Sequence, residues 1–335
     1  MDRSAFLKAI DAAGSGRARD ARGAAQHAVP SPQSKLGVDP GDVVARALAI
    51  LAQDNPVSAA TGTRQVTDVA SKVANQPVDL KPTNVDVKPT NVASEPGIQS
   101  PELMLQRRIL SDGTECSLPI RYFDVQCLVA AFLTELDRAA QLLQGTGLQA
   151  VAQADGKAVL VLYFIEYRKT DIGPYNEVGL TVMARAPGDP IPASYVVNLP
   201  VTTASACRIG REIWGYNKFV AAIEVNSDGN SFSTILRDAE NEMICSMEGE
   251  RGASVPAPPS DILTFTLLEG RLIKTDIQVL TPFLASSGQG FVFKVGPSKH
   301  PMAGNLRTVA LDGARPVVVQ YANPLQVLLF PGRPV

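Results

Sequence analysis

From residue 101 onwards, the apolar and polar positions of the chain predict many short β-strands. Residues 158–165 (AVLVLYFI) form a continuous apolar run, as in strands that are buried on both faces. Residues 177–183 (EVGLTVM) alternate instead, which places Glu177 on the face opposite Val178 and Leu180. The remaining predicted strands are 195–199, 219–225, 231–236, 262–268, 272–280, 291–295, 307–311, 316–320 and 327–330.

Helices are few in this part of the chain. Residues 134–143 (TELDRAAQLL) have apolar positions at helical spacing, with Thr134 as the expected N-cap and Gly145 as the stop signal. A second, shorter helix is predicted at 204–212, and turn signals such as Asp312-Gly313 separate the strands. Many short strands with few helices predict a mainly β (α+β) fold, built as an antiparallel barrel or sandwich.

The first hundred residues have a different pattern. Residues 42–53 (DVVARALAILAQ) can form one short helix, and DLKPTNV at 79–85 is repeated as DVKPTNV at 86–92. Two copies of seven residues are too few and too short to build a repeat fold. We therefore expect 1–100 to be a largely disordered linker and 101–335 to be the folded domain. A docking tail is the functional alternative for the linker.

Composition narrows the possible partners and the compartment. The net charge is −2, and no apolar run reaches about 20 residues, which argues against nucleic acid and membrane as partners. The four cysteines share no CxxC spacing, which indicates free thiols in a reducing cytoplasm. With two histidines and no cysteine pair at ligand spacing, we expect no metal site.

One segment, residues 210–219 (GREIWGYNKF), combines glycines, aromatic residues and a lysine between a predicted helix and a predicted strand. Lys218 directly precedes the apolar strand predicted at 219–225, where desolvation of an ammonium group is costly. A lysine that becomes deprotonated there is a nucleophile that can attack a ketone and form an imine. The alternative is a lysine at the strand edge that points into water.

The same segment resembles the signature of the acetoacetate decarboxylase family, in which Gly-Arg-Glu precedes Tyr-Pro-Lys-Lys by three residues. The matching positions are Gly210, Arg211, Glu212, Tyr216 and Lys218. The resemblance implies that Lys218 is the nucleophile that forms a Schiff base with the substrate. In acetoacetate decarboxylase itself, such a lysine is activated by an apolar pocket or by a neighbouring cation.

Two further matches support the resemblance. Residues 175–179 (YNEVG) are similar to the family's Tyr-x-Glu-x-Gly, which places Glu177 at the active-site glutamate, as a general acid/base or an orienting carboxylate. Gly296-Pro297 resembles a Gly-Pro segment that leads into the last strands. The similarity spans about 120–332, and it implies an acetoacetate decarboxylase-like barrel that assembles into a homo-oligomer.

The sequence departs from the family pattern at three positions. Phe219 replaces the second lysine, so it supplies no cation, and neighbours on a strand alternate faces, so it should point away from the site. Asn217 replaces the proline. Val125 falls where the family has an active-site arginine, and Arg121 is the nearby guanidinium that could bind the substrate carboxylate.

Three other residues of the segment are candidates for substrate binding. Tyr216 and Trp214 can line a pocket, or can simply pack in the core. Glu212 can contact substrate, or can pair with Arg211 to hold the loop.

The resemblance implies a cofactor-independent lyase whose substrate is a small keto acid. The enzyme would decarboxylate this β-keto acid through a Lys218 iminium. A Schiff-base aldolase, dehydratase or cyclase acting on another oxo acid is one alternative. A non-catalytic small-molecule-binding barrel of the same fold is the other.

Overall fold

The computed structural model describes residues 106–335, so the helix predicted at 42–53 and the linker predicted at 1–100 lie outside the described residues. Within 106–335 the chain forms seventeen strands, three α-helices and one 3-10 turn, Gly288–Gly290. No helix in this range is long and apolar enough to cross a membrane.

The elements follow one another with short connections. The helices are α1 (Leu136–Leu142), α2 (Ala204–Trp214) and α3 (Pro301–Thr308). The strands are β1 (Gln106–Ile109), β2 (Glu115–Leu118), β3 (Ile120–Glu135), β4 (Gln149–Ala150), β5 (Lys157–Thr170), β6 (Tyr175–Arg185), β7 (Ala193–Asn198), β8 (Ala222–Asp228), β9 (Ser231–Arg237), β10 (Met243–Glu250), β11 (Ser254–Ala257), β12 (Ile262–Leu268), β13 (Arg271–Val279), β14 (Phe283–Ser287), β15 (Phe291–Val295), β16 (Val318–Leu329) and β17 (Arg333–Pro334).

Seven of these strands close into a barrel. Their order is β16-β3-β5-β6-β7-β12-β13, and β13 pairs back onto β16. The neighbouring strands are antiparallel except β7 and β12, which pair in parallel. Closure leaves the barrel strands without free edges and encloses a core.

Strands β4, β11, β14 and β17 extend the sheet that forms the barrel, and the remaining strands form two separate sheets. A four-stranded antiparallel sheet has the order β15-β10-β9-β8, and β1 and β2 form a separate hairpin. Helices α1 and α3 contribute buried residues to the same core cluster as this second sheet. The predicted mainly β fold with few short helices is confirmed.

Alternation along the barrel strands divides the buried side chains between two cores. On β3, Val125 and Cys127 belong to the core inside the barrel, whereas Leu128 and Ala130 belong to the core between the barrel and the second sheet. Strand β5 behaves in the same way, which explains its continuous apolar run. The inner core surrounds the candidate site.

One predicted strand at the carboxyl-terminal side is wrong, and two others merge into a single strand. The strand predicted at 307–311 is the end of helix α3 and the turn that follows it. Pro301 occupies the first turn of α3, and His300 caps it by accepting a hydrogen bond from the backbone N–H of Met302. The strands predicted at 316–320 and 327–330 form one strand, β16, interrupted by register shifts.

Two other predicted boundaries shift. Helix α1 begins at Leu136, because β3 continues through Glu135 and the Thr134 hydroxyl donates to the Val309 carbonyl instead of capping the helix. The strand predicted at 219–225 begins at Ala222 as β8. Lys218 therefore lies in the connection between α2 and β8.

Candidate active site

A cavity of about 110 Å³ lies inside the barrel. Its wall takes side chains from all seven barrel strands, and most of them are aliphatic, for example Val125, Val196 and Leu329. Among the lining residues of the described chain, Glu177 and Lys218 are the charged ones. The site is therefore an apolar chamber that contains a single buried ion pair.

The two charged groups lie in direct contact. Lys218 Nζ donates a hydrogen bond of 2.6 Å to Glu177 Oε2, and each residue is only 5 % exposed. The lysine nitrogen also lies 5.5 Å from the centre of the Tyr175 ring and 5.8 Å from that of Tyr216. The carboxylate and the aromatic faces together offset the cost of burying the ammonium group.

Alternation along β6 directs Glu177 into the barrel. Val178, Leu180 and Val182 pack in the outer core, while Glu177 and Thr181 line the cavity. The strand face predicted from the EVGLTVM pattern is the one observed.

The connection that carries Lys218 is fixed at both ends. Gly215 ends α2 with φ +70°, and a Cβ there would overlap the Leu267 carbonyl, so both the conformation and the close approach require glycine. Beyond it, the Asn217 carbonyl accepts from the backbone N–H of Leu199, and the Asn217 amide donates to the Val197 carbonyl at 2.8 Å. The lysine is thus positioned beside the end of β7.

The path of the lysine side chain across α2 depends on Gly210. A Cβ built on Gly210 would lie 2.5 Å from both Cδ and Cε of Lys218, closer than any ordinary contact. The absent side chain therefore provides the groove in which the lysine runs to Glu177. This gives the Gly-Arg-Glu segment a direct steric function at the site.

Tyrosine hydroxyls surround the ion pair. The Tyr167 hydroxyl donates to the second carboxylate oxygen, Glu177 Oε1, at 3.1 Å, and the Tyr216 hydroxyl lies 3.2 Å from Thr264 Oγ1. Burial raises the pKa of Tyr167 and of Tyr216 well above the usual value, and it raises the pKa of Tyr163 to about 12. These phenols therefore stay protonated near neutral pH and act as neutral hydrogen-bonding groups.

Three predicted substrate-binding residues lie outside the cavity. Arg121 is exposed and forms a bidentate pair with Asp171 at 3.0 Å, so the expectation that it reaches the site is corrected. Glu212 accepts hydrogen bonds from the backbone N–H and hydroxyl of Ser111 at the surface. Trp214 is buried behind Tyr216, with the ring centres 5.9 Å apart.

Arg211, which matches the family signature, and the residues that depart from it also have clear positions. Arg211 does not pair with Glu212; its guanidinium donates to the Lys218 carbonyl at 3.3 Å and so helps to hold the connection. Phe219 packs against the outer core with its ring 4.1 Å from that of His300, away from the cavity as expected. Val125 is fully buried and lines the cavity, so no guanidinium occupies that position.

Tyr167 is a site residue that was not predicted from the sequence. Strands β5 and β6 pair with Ile165 opposite Glu177, which makes Tyr167 a diagonal neighbour of Glu177 on the same face. Alternation along β5 indicates that positions 163, 165 and 167 share one face of the strand. The β5–β6 register is needed to place that face beside Glu177.

Comparisons with known proteins agree with the motif resemblance. The family model described as acetoacetate decarboxylase (ADC) matches residues 110–274, a range that includes Glu177 and Lys218. No match was found among curated proteins.

Solved structures with this architecture include acetoacetate decarboxylase from Legionella pneumophila, which is 18% identical with a TM-score of 0.51 over 65% of this chain and 87% of that one. A second acetoacetate decarboxylase structure is 12% identical with a TM-score of 0.51, over 65% and 89% of the two chains.

A third is the enduracididine biosynthesis enzyme MppR, solved with the condensation product of pyruvate and imidazole 4-carboxaldehyde. It is 14% identical with a TM-score of 0.50, over 65% of this chain and 90% of that chain. At these identities the structural likeness establishes the fold. With the barrel described above, the family match identifies residues 110–274 as an acetoacetate decarboxylase-like domain.

Proposed function

We propose that this protein is a Schiff-base-forming lyase that decarboxylates a small β-keto acid through an iminium on Lys218. The observation that carries the proposal is the buried contact of 2.6 Å between Lys218 Nζ and Glu177 Oε2 on the wall of an apolar cavity. No organic cofactor is required, because a protonated imine can itself accept the electron pair of the breaking bond.

The first step is a proton transfer within the pair. The Lys218 ammonium gives one proton to Glu177, which leaves a neutral amine and a carboxylic acid. The amine then attacks the ketone carbon, and a proton moves from nitrogen to the former carbonyl oxygen to give a carbinolamine. Glu177 returns its proton to that hydroxyl, water leaves, and a positively charged iminium remains beside the Glu177 carboxylate.

Carbon–carbon cleavage follows from the iminium. The electron pair of the bond to the carboxylate carbon moves toward nitrogen, CO₂ leaves, and a neutral enamine forms. One proton from solvent is added to the enamine carbon, and water hydrolyses the resulting iminium to the ketone and the Lys218 ammonium, which restores the starting ion pair with Glu177. The aliphatic wall favours the loss of CO₂, since it destabilises the charged carboxylate more than it destabilises neutral CO₂.

Tyr167 supports Glu177 during these transfers. Its hydroxyl donates to Oε1, the oxygen that does not contact the lysine, and so fixes the orientation of the carboxyl group. Oε2 is then free to exchange protons with Nζ and with the carbinolamine. We regard Tyr167 as a positioning residue.

Aldol-type chemistry is the second candidate, since the same iminium supports aldol addition and dehydration on another oxo acid. The observation that favours it is that the charged lining residues are Lys218 and Glu177, so the cavity wall offers no guanidinium to hold a leaving carboxylate. Deprotonation next to the iminium gives an enamine that adds to an aldehyde, and this route needs no carboxylate on the reacting carbon.

The two reactions are separated by following acetoacetate, and pyruvate with an aldehyde, by proton NMR. Production of acetone with release of CO₂ supports decarboxylation, whereas a condensation product of pyruvate without CO₂ supports the aldol route. If neither reaction occurs and Lys218→Ala leaves the affinity for acetoacetate and pyruvate unchanged, the proposal fails and the protein is a non-catalytic binding barrel.

A matched control is available within the chain. Lys274 is a second buried lysine, 7 % exposed, and it contacts Asp189 at 2.7 Å outside the cavity. Lys218→Arg keeps the charge but removes the primary amine, so it should abolish turnover. Lys274→Arg should retain the wild-type rate, and loss of turnover in both variants would show that general destabilisation is responsible.

A further inference from the structure

Several hydroxyl groups on the cavity wall lie on the side of Glu177. Tyr167 donates to its carboxylate, and the ring of Tyr122 packs 4.8 Å from that of Tyr167. Thr181 lies on the same strand as Glu177 and donates to a main-chain carbonyl of β5 at 3.1 Å, and Tyr163 is its diagonal neighbour. A substrate carboxylate bound to these groups would lie close to the Glu177 carboxylate, and like charges repel.

Tyr216 and Thr264 form a separate pair of hydroxyl groups. Both residues line the cavity, and their hydroxyl oxygens are 3.2 Å apart, with either group able to donate. Thr264 lies on β12, which is separated from the strand of Glu177 by β7. The centre of the Tyr216 ring is 5.8 Å from Lys218 Nζ. The pair is therefore within reach of a compound attached to the lysine, on a different part of the wall from the glutamate.

Thr275 adds a third hydroxyl group behind this pair. It lies directly opposite Thr264 in the β12–β13 register, it is fully buried, and its hydroxyl makes no hydrogen bond within residues 106–335. Burial raises the pKa of Tyr216, whereas the hydroxyl groups of Thr264 and Thr275 lower it, so both threonines lie beside the phenol. A buried hydroxyl without a partner is unfavourable. Its proton can be donated to the Tyr216 oxygen, which leaves the phenol proton available to a ligand.

From these contacts we infer that the hydroxyl groups of Tyr216 and Thr264 bind the substrate carboxylate in place of a guanidinium, and that Thr275 is a positioning residue that directs the Tyr216 proton into the cavity. In the imine of a β-keto acid, ordinary bond lengths place the carboxylate carbon roughly 3–4 Å from nitrogen, which brings its oxygens near the phenol. Two neutral donors orient the carboxylate without cancelling its charge, so the loss of CO₂ stays favourable. The inference rests on the proposed Schiff-base function and adds the residues that recognise its substrate.

The inference is tested by comparing an anionic and a neutral ketone in their reaction with Lys218. Isobutyl methyl ketone has the shape of acetoacetate, with an isopropyl group in place of the carboxylate. The full chain is incubated with either ketone under cyanoborohydride. Adducts on the Lys218 peptide, carboxylated and decarboxylated together, are followed by mass spectrometry, and each rate is divided by that of free lysine. The quantity compared is the ratio of the acetoacetate rate to the neutral-ketone rate.

Thr264→Val keeps the shape of the side chain and removes its donor. We expect it to lower the ratio about tenfold or more, because a hydrogen bond to a charged group is lost. Thr266→Val is the matched control, since Thr266 lies on the same face of β12, does not line the cavity, and donates to the Trp214 carbonyl. It should leave the ratio unchanged. An unchanged ratio in Thr264→Val, or an equal fall in the control, would overturn the inference.

Two further variants test the phenol and its support. Tyr216→Phe and Thr275→Val should each lower the ratio, and Thr275→Ser, which restores the hydroxyl, should recover the wild-type value. A low ratio in Thr275→Ser would show that Thr275 acts by packing alone. A fall in Tyr122→Phe with none in Tyr216→Phe would assign the carboxylate to the other side of the cavity and refute the inference. If the wild-type chain forms no adduct with either ketone, the proposed function itself is wrong.

Discussion

Gly210→Ala should separate activity from stability. The added Cβ would lie 2.5 Å from Lys218 Cδ and Cε, so the lysine side chain must move by roughly 1 Å to reach an ordinary contact distance. Because Nζ is at the end of that side chain, its contact of 2.6 Å with Glu177 is lengthened but not broken. A displacement of about 1 Å at a reacting group can cost about 100-fold in rate.

Stability should change little in the same variant. Gly210 lies within helix α2, where alanine is favoured over glycine by roughly 0.5–1 kcal/mol. This gain offsets the cost of moving the flexible end of one lysine, so we expect the free energy of unfolding to change by less than about 1 kcal/mol.

The assay compares kcat for CO₂ release with the urea midpoint of the same preparation. Gly304→Ala in helix α3 is the matched control, because a Cβ there meets no atom within 4 Å. A fully active Gly210→Ala would refute the steric account of the lysine groove. A large drop in its urea midpoint would show that the backbone, not the lysine, has to move.

Three further outcomes are expected. Tyr167→Phe removes the donor to Glu177 Oε1 and should lower kcat about tenfold while KM stays near wild type, because the hydroxyl orients a proton-transfer group; an unchanged pH–rate profile and kcat would contradict this role. Glu177→Ala leaves Lys218 buried without its carboxylate and should lower the free energy of unfolding by about 3–5 kcal/mol, whereas Glu177→Leu combined with Lys218→Met should recover most of it in urea titrations. Burial raises the pKa of Tyr122 and of Tyr163 above the unfolded value of about 10, so the folded state retains protons that the unfolded state releases. The contribution of these two phenols to the free energy of unfolding should therefore be fully present below about pH 10 and fall above it. The absorbance rise at 295 nm should coincide with unfolding, and ionisation of all tyrosines near pH 10 in the folded protein would contradict this prediction.

The parts of the fold that depend on local alternation could be predicted from the sequence. The pattern of β6 placed Glu177 opposite Val178, and the continuous apolar run of β5 indicated burial on both faces. The strand predicted at 307–311 was wrong because Val309 and Leu311 are buried by tertiary packing after the end of α3, which imitates a strand pattern.

The cavity itself could be predicted only in part. The signature identified Lys218, but the contact with Glu177 and the support from Tyr167 depend on strand register and barrel closure. Arg121 is close in sequence to the family's arginine position, yet its partner is Asp171, to which only the three-dimensional structure assigns it. The neighbouring residues in the sequence do not show on which side of the barrel wall a long side chain such as that of Arg121 lies.

The central claim is that Lys218 captures a carbonyl carbon, and peptide mapping of the wild-type chain tests it most directly. The protein is incubated with acetoacetate, reduced with borohydride, digested and analysed by tandem mass spectrometry. We predict a single reduced adduct on the peptide that contains Lys218, with Lys274, which is also buried within residues 106–335, unmodified. An adduct confined to Lys274 or to surface lysines, or no adduct at all, would contradict the account.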